Sequence, residues 1–324
     1  MPSFSLLKLN RYLDSLIPLT TPLAVILGLF FPRCFSTLRP YVLLLFGIMT
    51  FSGALKLTAR ELLAAVRNPA PIFIFFLSFH VLMPLAALFS SSVIFTGNPD
   101  IITGFVLLFA GPTAVSGFIW VMIYKGDKAL GLTLILLDTI LAPLVVPLTL
   151  SVLIGAKTAM DMTGIAVSLL FMVVIPTIIG VTINETSKGK IPEKICPGLD
   201  PFAKICLMLV IAANSSAVAP IIKFSDPLVW RSAALCITLT SSGFLIAWFT
   251  GFIGKYGGEK KASLIIAGGL RNNSAVMTIA VAFFPETTVL PALLSIIFQQ
   301  IITAVMGKLI IGKQTRNSEQ NHPE

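Results

Sequence analysis

The sequence predicts an all-α polytopic membrane protein: ten transmembrane helices in two inverted five-helix repeats, with helices four and nine broken. Three observations predict it. Apolar residues make up 56% of the 324-residue chain and charged residues only 11%, which excludes a water-soluble domain. The apolar residues fall in blocks of about 17 to 25, the length a helix needs to cross about 30 Å of hydrocarbon. Basic residues collect in alternate connections, as the cytoplasmic loops of membrane proteins do.

The predicted spans cover residues 16–32, 41–57, 71–90, 101–123, 129–153, 163–183, 205–222, 233–251, 262–284 and 289–311. Inside hydrocarbon every backbone donor must be bonded within its own segment, so segments of this length and continuity are helices and not a barrel. The first follows Lys8 and Arg11, yet no small-residue cleavage site comes after it, so it reads as a retained span and not a signal peptide.

One side of the predicted topology collects Lys8, Arg11, Lys56, Arg60, Arg67, Lys125, Lys128, Lys188, Lys190, Lys194, Lys204, Lys255, Lys260, Lys261, Lys308, Lys313 and Arg316. The other has Arg33, Arg39, Lys157, Lys223 and Arg231. That contrast places both termini in the cytoplasm of a multi-pass protein of the inner or plasma membrane. It also accounts for the net charge of +9 without a nucleic-acid partner. Residues 184–204 are the longest polar connection and the one candidate internal boundary, while 312–324 reads as a solvated cytoplasmic tail. Cys34, Cys196, Cys206 and Cys236 form no CxxC pair and have no nearby histidine, so they read as isolated thiols, with no metal site and no cofactor implied.

Two spans are interrupted. Gly111-Pro112-Thr113 lies within the fourth, and Gly268-Gly269-Leu270-Arg271-Asn272-Asn273-Ser274 within the ninth. Proline removes a helical donor and glycine lowers helical stability, so both places are expected to unwind at mid-membrane depth. Four and nine are equivalent positions in two five-helix halves, 12–154 and 162–311, and an odd-numbered unit is inverted relative to its twin. Broken helices at matching places point to a transport site, where half-helix ends offer free N–H and C=O groups to a solute or ion. The chain thus reads as a single membrane transporter domain, 1–324.

Asp138 and Arg271 are the charged side chains well inside the spans, and each is expected to face a partner or a wet cavity. The simplest expectation is that they answer each other. His80, beside the Met83-Pro84 bend, reads either as an imidazole bonded to a neighbouring helix or as a proton relay. Asn214, Ser215, Ser216, Ser241, Ser242, Gln299 and Gln300 read as interhelical hydrogen-bonding residues, and Trp120, Trp230 and Trp248 as interface markers.

A Met-Pro closing the third helix, GPTAVSGF in the fourth, Lys125-Gly126-Asp127 before a fifth helix ending in Ala142-Pro143, and RNNSA in the ninth occur in that order. With ten spans, this pattern resembles the bile acid:sodium symporter family from about Val42 to Gly307. The resemblance implies panel and core domains, two unwound helices crossing in the core, and uptake of an organic anion with sodium. The sodium ligands it implies are not carried over. A Ser-Asn pair falls at Gly117 and Phe118, the fifth-helix hydroxyls at Gly131 and Ile135, a glutamate at Ala267, its glutamine partner at Arg271, and a third-helix glutamine at Phe79.

A fixed guanidinium opposes a bound sodium ion, so Arg271 is expected to stand in for the cation, and Asp138 to pair with it or to take up a proton during the cycle. Coupling-ion candidates are therefore Asp138 and His80. The solute, a small or amphipathic organic anion, is assigned to Thr113, Ser116, Arg271, Asn272, Asn273 and Ser274 with the backbone at both breaks. The remaining partners are a coupling cation, H+ or Na+, and the lipid bilayer. A sodium-coupled symporter with a remodelled ion site remains an alternative. An arsenite-type exporter is expected to carry a thiol at the fourth-helix break, where Gly111, Thr113 and Ser116 stand instead. A membrane-embedded hydrolase lacks its signatures, paired acids or HExxH, so the chain is read as a non-enzyme.

Overall fold

The computed structural model describes residues 20–58, 69–155, 161–220, 222–223 and 225–311. Lys8, Arg11, Arg60, Arg67, Lys157, Lys313, Arg316, the start of the first predicted span and the 312–324 tail lie outside the described residues. Among the described residues the protein is helical, with one isolated β-bridge and no β-strand. The helices are α1 (Thr20–Phe30), α2 (Pro32–Ala54), α3 (Pro69–Ile94), α4 (Pro99–Ala110), α5 (Gly117–Ile123) and α6 (Lys128–Leu153). They continue with α7 (Met162–Ser187), α8 (Lys190–Val218), α9 (Pro227–Ile253), α10 (Gly258–Gly269), α11 (Asn273–Phe283) and α12 (Glu286–Ile311). Seven of these, α2, α3, α6, α7, α8, α9 and α12, are long and apolar enough to cross a membrane, and α1, α4 and α11 are shorter apolar helices.

The helix starts are written in short polar side chains. Asp127, Asp161 and Asp226 each accept a hydrogen bond from a first-turn amide, those of Leu130, Gly164 and Leu228, and so open α6, α7 and α9. The polar connection expected over 184–204 is corrected. The chain turns within two residues, Lys188 and Gly189, both left-handed, and α8 is helical from Lys190. Its polarity is that of an amphipathic helix, since Pro192, Cys196, Asp200 and Ala203 recur at helical spacing on the buried side. Asp200 there accepts from Ser52 Oγ at 3.0 Å and from Lys56 Nζ at 2.7 Å, tying α8 to the end of α2.

Two prolines widen their helices. In α3 the Met83 amide reaches back to the Ser78 carbonyl across a π turn, Ser78–Leu82; in α7 that of Ile175 reaches Leu170 across Leu170–Val174. In this register the nitrogen of Pro84 falls opposite the Phe79 carbonyl and has no hydrogen to give. The Phe79 carbonyl is thereby freed for another partner.

Lipid is as apolar as leucine, so the helices associate by close fit and not by escape from water. One group is α2, α7 and α8, with α1 drawn against α8 where Gly28 closes on the Ala212 carbonyl. The other is α3, α4, α6, α9, α10 and α12, packed around the two interrupted segments, with α6 and α11 reaching both groups. Phe75, Phe79, Phe105 and Phe244 are fully buried in that second group, and emptying such a site to alanine costs about 3–5 kcal/mol. Phe30, Phe73, Phe89, Leu144, Val152 and Phe252 are exposed on the outer surface, as faces toward acyl chains are.

Candidate functional site

The α4 helix stops because Pro112 has no amide hydrogen: Gly111, at φ −61° and ψ 153°, already leaves the helix after its own amide caps the Leu107 carbonyl at 3.0 Å. The α10 helix stops at Leu270, equally extended at φ −104° and ψ 124°. Unpaired buried backbone is costly, and the two extended segments satisfy each other. The Asn272 amide donates to the Pro112 carbonyl at 2.7 Å and the Ala114 amide to the Leu270 carbonyl at 3.3 Å, an antiparallel bridge between Thr113 and Arg271.

In such a bridge the peptide groups of Thr113 and Arg271 themselves point outward, away from each other. A side chain meets each. The Thr113 amide donates to Asp138 Oδ2 on α6 at 2.7 Å. The Arg271 amide donates to Gln299 Oε1 on α12 at 3.0 Å, and Gln299 Nε2 returns a bond to the Arg271 carbonyl at 2.9 Å.

Asp138 is 0% exposed and carries three contacts. Besides the Thr113 amide, Thr113 Oγ1 lies 2.7 Å from Oδ2, and His80 Nε2 lies 2.7 Å from Oδ1. The expected pairing of Asp138 with Arg271 is corrected, since no arginine nitrogen comes within the 4.0 Å of an ion pair. The guanidinium, 3% exposed, turns instead to orphan carbonyls: Nη1 donates to Gly111 at 3.3 Å and Nη2 to Phe79 at 3.1 Å. Its carbon also stands 5.3 Å from the centre of the Phe79 ring. The reason is local. The Gly111 carbonyl ends a helix and the Phe79 carbonyl has lost its partner to Pro84, so both are strong acceptors, while the carboxylate is already occupied by His80 and Thr113.

Thr113, Arg271 and Asn273 are buried, Asn272 and Ser274 half-buried, and Ser116 exposed. Asn272 opens α11, its side chain accepting from the Ala275 amide at 3.2 Å. Arg271 Nε and Asn273 Oδ1 are buried without a hydrogen-bond partner. The placing of Gly268 and Gly269 in the unwound stretch is corrected: both are still helical in the last turn of α10. Their smallness serves contact, because a Cβ would strike the Phe79 ring at Gly268 and the Phe244 ring at Gly269. At Gly111 it would strike Val276.

Sequence reasoning took Gln299 for a general interhelical residue and missed Ala267 as a hydrogen-bonding group, although its carbonyl accepts from Thr113 Oγ1 at 3.0 Å. No side-chain signal marks a main-chain acceptor. Gln300 accepts from Trp120 Nε1 at 3.1 Å, and Asn214 donates to Thr278 at 2.8 Å. Gly117, where the resemblance places a hydroxyl, instead faces Leu270 and Ile135 side chains, so that part of the crossing is apolar. A small apolar cavity adjoins the first break between Leu107, Pro112, Val146, Leu169 and Val276.

Apolar helices long enough to cross a membrane, packed around two helix ends joined backbone to backbone beside a buried acid, imidazole and guanidinium, are those of a polytopic membrane protein. Residues 42–223 match the sodium bile acid symporter family, and the chain belongs to that family. It is similar to the uncharacterized protein YbaS of Bacillus subtilis, 39% identical over 297 residues that cover 91% of this chain and 96% of that one. It is also similar to the probable chloroplastic sodium/metabolite cotransporter BASS2 of rice, at 24% identity over 90% of this chain and 68% of the relative. The uncharacterized sodium-dependent transporter YocS of B. subtilis is 21% identical over 88% of this chain and 87% of its own length.

Proposed function

We propose that this protein is a secondary active transporter of a small or amphipathic organic anion, working by alternating access at the crossing of its two broken helices. The observation that carries the reading is the antiparallel pairing of Thr113 with Arg271, with a buried carboxylate on one outer edge. In this reading α4 with α5, and α10 with α11, each count as one crossing, making ten in two inverted repeats of panel and core. Supporting that symmetry, Asp138 on the fifth predicted span and Gln299 on the tenth do the same work, each receiving the outward amide of one bridge residue. Both termini are then cytoplasmic, in the inner or plasma membrane.

The solute meets Ser116, Asn272 and Ser274, the partly accessible polar side chains of the breaks, and the positive end of α11. Arg271 supplies a fixed cation: carbonyls hold two of its nitrogens, and Nε, buried and unpartnered, remains for the anion. Asp138 with His80 takes up the coupling proton, because these are the ionisable groups in direct contact at the crossing.

A second reading, sodium coupling through a remodelled site, is favoured by the names of the relatives, which include probable sodium/metabolite cotransporters. Proteoliposomes separate the two. Uptake of a panel of labelled carboxylates and sulfonates is measured under a proton gradient and under a sodium gradient. Uptake driven by the proton gradient and abolished in Asp138→Asn is the expected result; uptake driven by sodium and indifferent to pH overturns proton coupling and leaves the transport reading standing.

A further inference from the structure

The hydrogens around Asp138 do not match the contacts. Four close approaches meet there: His80 Nε2 to Asp138 Oδ1, the Thr113 amide to Oδ2, Thr113 Oγ1 to Oδ2, and Thr113 Oγ1 to the Ala267 carbonyl. The imidazole nitrogen, the amide and the hydroxyl each bring one hydrogen. An ionised carboxylate and a carbonyl bring none, so one approach has no hydrogen. The deficit sits at Thr113 Oγ1, whose single hydrogen faces two acceptors at 2.7 and 3.0 Å.

One added proton removes the deficit only at one atom. On His80 it would lie at Nδ1, which is buried and has no partner. On Asp138 Oδ1 it would serve only the imidazole. On Oδ2 the carboxyl donates to Thr113 Oγ1, the hydroxyl donates onward to Ala267, and every approach then has its hydrogen. The charged and titratable groups facing this carboxyl are His80 from α3 and Arg271 from the second break; Thr113 from the first break and Ala267 from α10 are neutral.

We propose that Thr113 is a positioning residue that senses a proton on Asp138 Oδ2 and answers by moving its hydroxyl hydrogen from the carboxylate to the Ala267 carbonyl. The inference rests on the reading of Asp138 as the coupling-proton site. With Asp138 ionised, the hydroxyl belongs to α6 and the Ala267 carbonyl lacks its donor. With Asp138 protonated, the same hydroxyl ties the first break to the last turn of α10, one turn before the second break. No bond other than O–H changes: the carboxyl gains a proton supplied by bulk water, and the hydroxyl rotates. Proton binding thus adds a cross-link between the two halves of the crossing, beside the Thr113–Arg271 bridge.

The test uses the full chain in lipid nanodiscs, with the proton as the probe. Infrared titration reads the carboxyl C=O band of protonated Asp138, identified by its loss in Asp138→Asn. Hydrogen exchange, corrected for intrinsic pH dependence, reads the Ala114 and Asn272 amides that join the segments. A band lowered in frequency by donation is expected in the wild type and in Thr113→Ser. In Thr113→Val the band persists and moves up. Protection of the two amides rises about fivefold on protonation in the wild type and Thr113→Ser, the worth of about one net hydrogen bond, and stays flat in Thr113→Val. A wild-type band at the frequency of a non-donating carboxyl overturns the inference without any substitution at 113, as does a Thr113→Val protein that matches the wild type in both readouts. Absence of any Asp138-dependent band at every pH overturns the proton-coupling reading itself, and this inference with it.

Discussion

Gln299 meets both main-chain groups of Arg271 on the outer edge of the bridge, its amide oxygen accepting from the Arg271 N–H at 3.0 Å while its amide nitrogen donates to the Arg271 carbonyl at 2.9 Å. A side-chain amide thus takes the place of a third strand beside the Thr113–Arg271 bridge. Gln299→Leu keeps the volume and leaves the Arg271 amide buried and unpaired, at a cost of about 1–3 kcal/mol, while the Arg271 carbonyl keeps the Asn273 amide at 2.9 Å. The expected loss of stability is about 1–3 kcal/mol in a denaturant titration of the purified protein, the cost of that one group. Gln299→Glu keeps the acceptor and is expected to lose less.

Arg271 spans two carbonyls with a planar fork, which a lysine ammonium cannot reproduce. Arg271→Lys is expected to be less stable than the wild type by about 1.5–3 kcal/mol, the worth of one charged hydrogen bond. Arg271→Ala leaves the carbonyls of Gly111 and Phe79 facing a vacated site. Millimolar guanidinium is expected to raise its melting temperature and to leave that of the wild type unchanged. Thermal melts with guanidinium, sodium and choline as chlorides at equal ionic strength make the comparison.

Gly268 lets α10 lie against the Phe79 ring. Gly268→Ala raises intrinsic helix propensity by about 1 kcal/mol, yet overpacking of about 1–3 kcal/mol dominates and the variant is expected to be destabilised. Adding Phe79→Leu should recover part of that loss. A double-mutant cycle whose coupling energy is zero would show that the two residues do not compete for the same space.

At the end of α2, Lys56 is 53% exposed on its side chain and Asp200 11%, at 2.7 Å. Such a half-exposed pair contributes about 0–1 kcal/mol, so Lys56→Met is expected to change stability little, and less still in high salt. Asp200→Asn is expected to be less damaging than Asp200→Leu, which also strands the buried Ser52 hydroxyl. Melts of the three variants at low and high salt rank them.

Much of this was legible in the chain. Residues long enough and apolar enough to cross a bilayer announce themselves by count, and a proline announces a missing hydrogen at its own position, so Pro112 and Pro84 mark where helical bonding must fail. The order of short motifs from Val42 to Gly307 pointed to the family to which the chain belongs. Glycines misled, because Gly268 and Gly269 lower helix propensity whether or not the helix gives way, and their use here, admitting two phenyl rings, belongs to neighbours far away in sequence.

The sequence by itself determined an apolar helical membrane chain with a buried acid, imidazole and guanidinium, since each follows from composition or from one residue's covalent structure. Tertiary structure alone decided who meets whom. Asp138 chose His80, 58 residues away, over Arg271, and Arg271 chose the carbonyls of Gly111 and Phe79. Those choices turn on helix register and on which main-chain acceptors the prolines leave unpaired. A carbonyl is the same in every residue until the fold has decided whether anything donates to it.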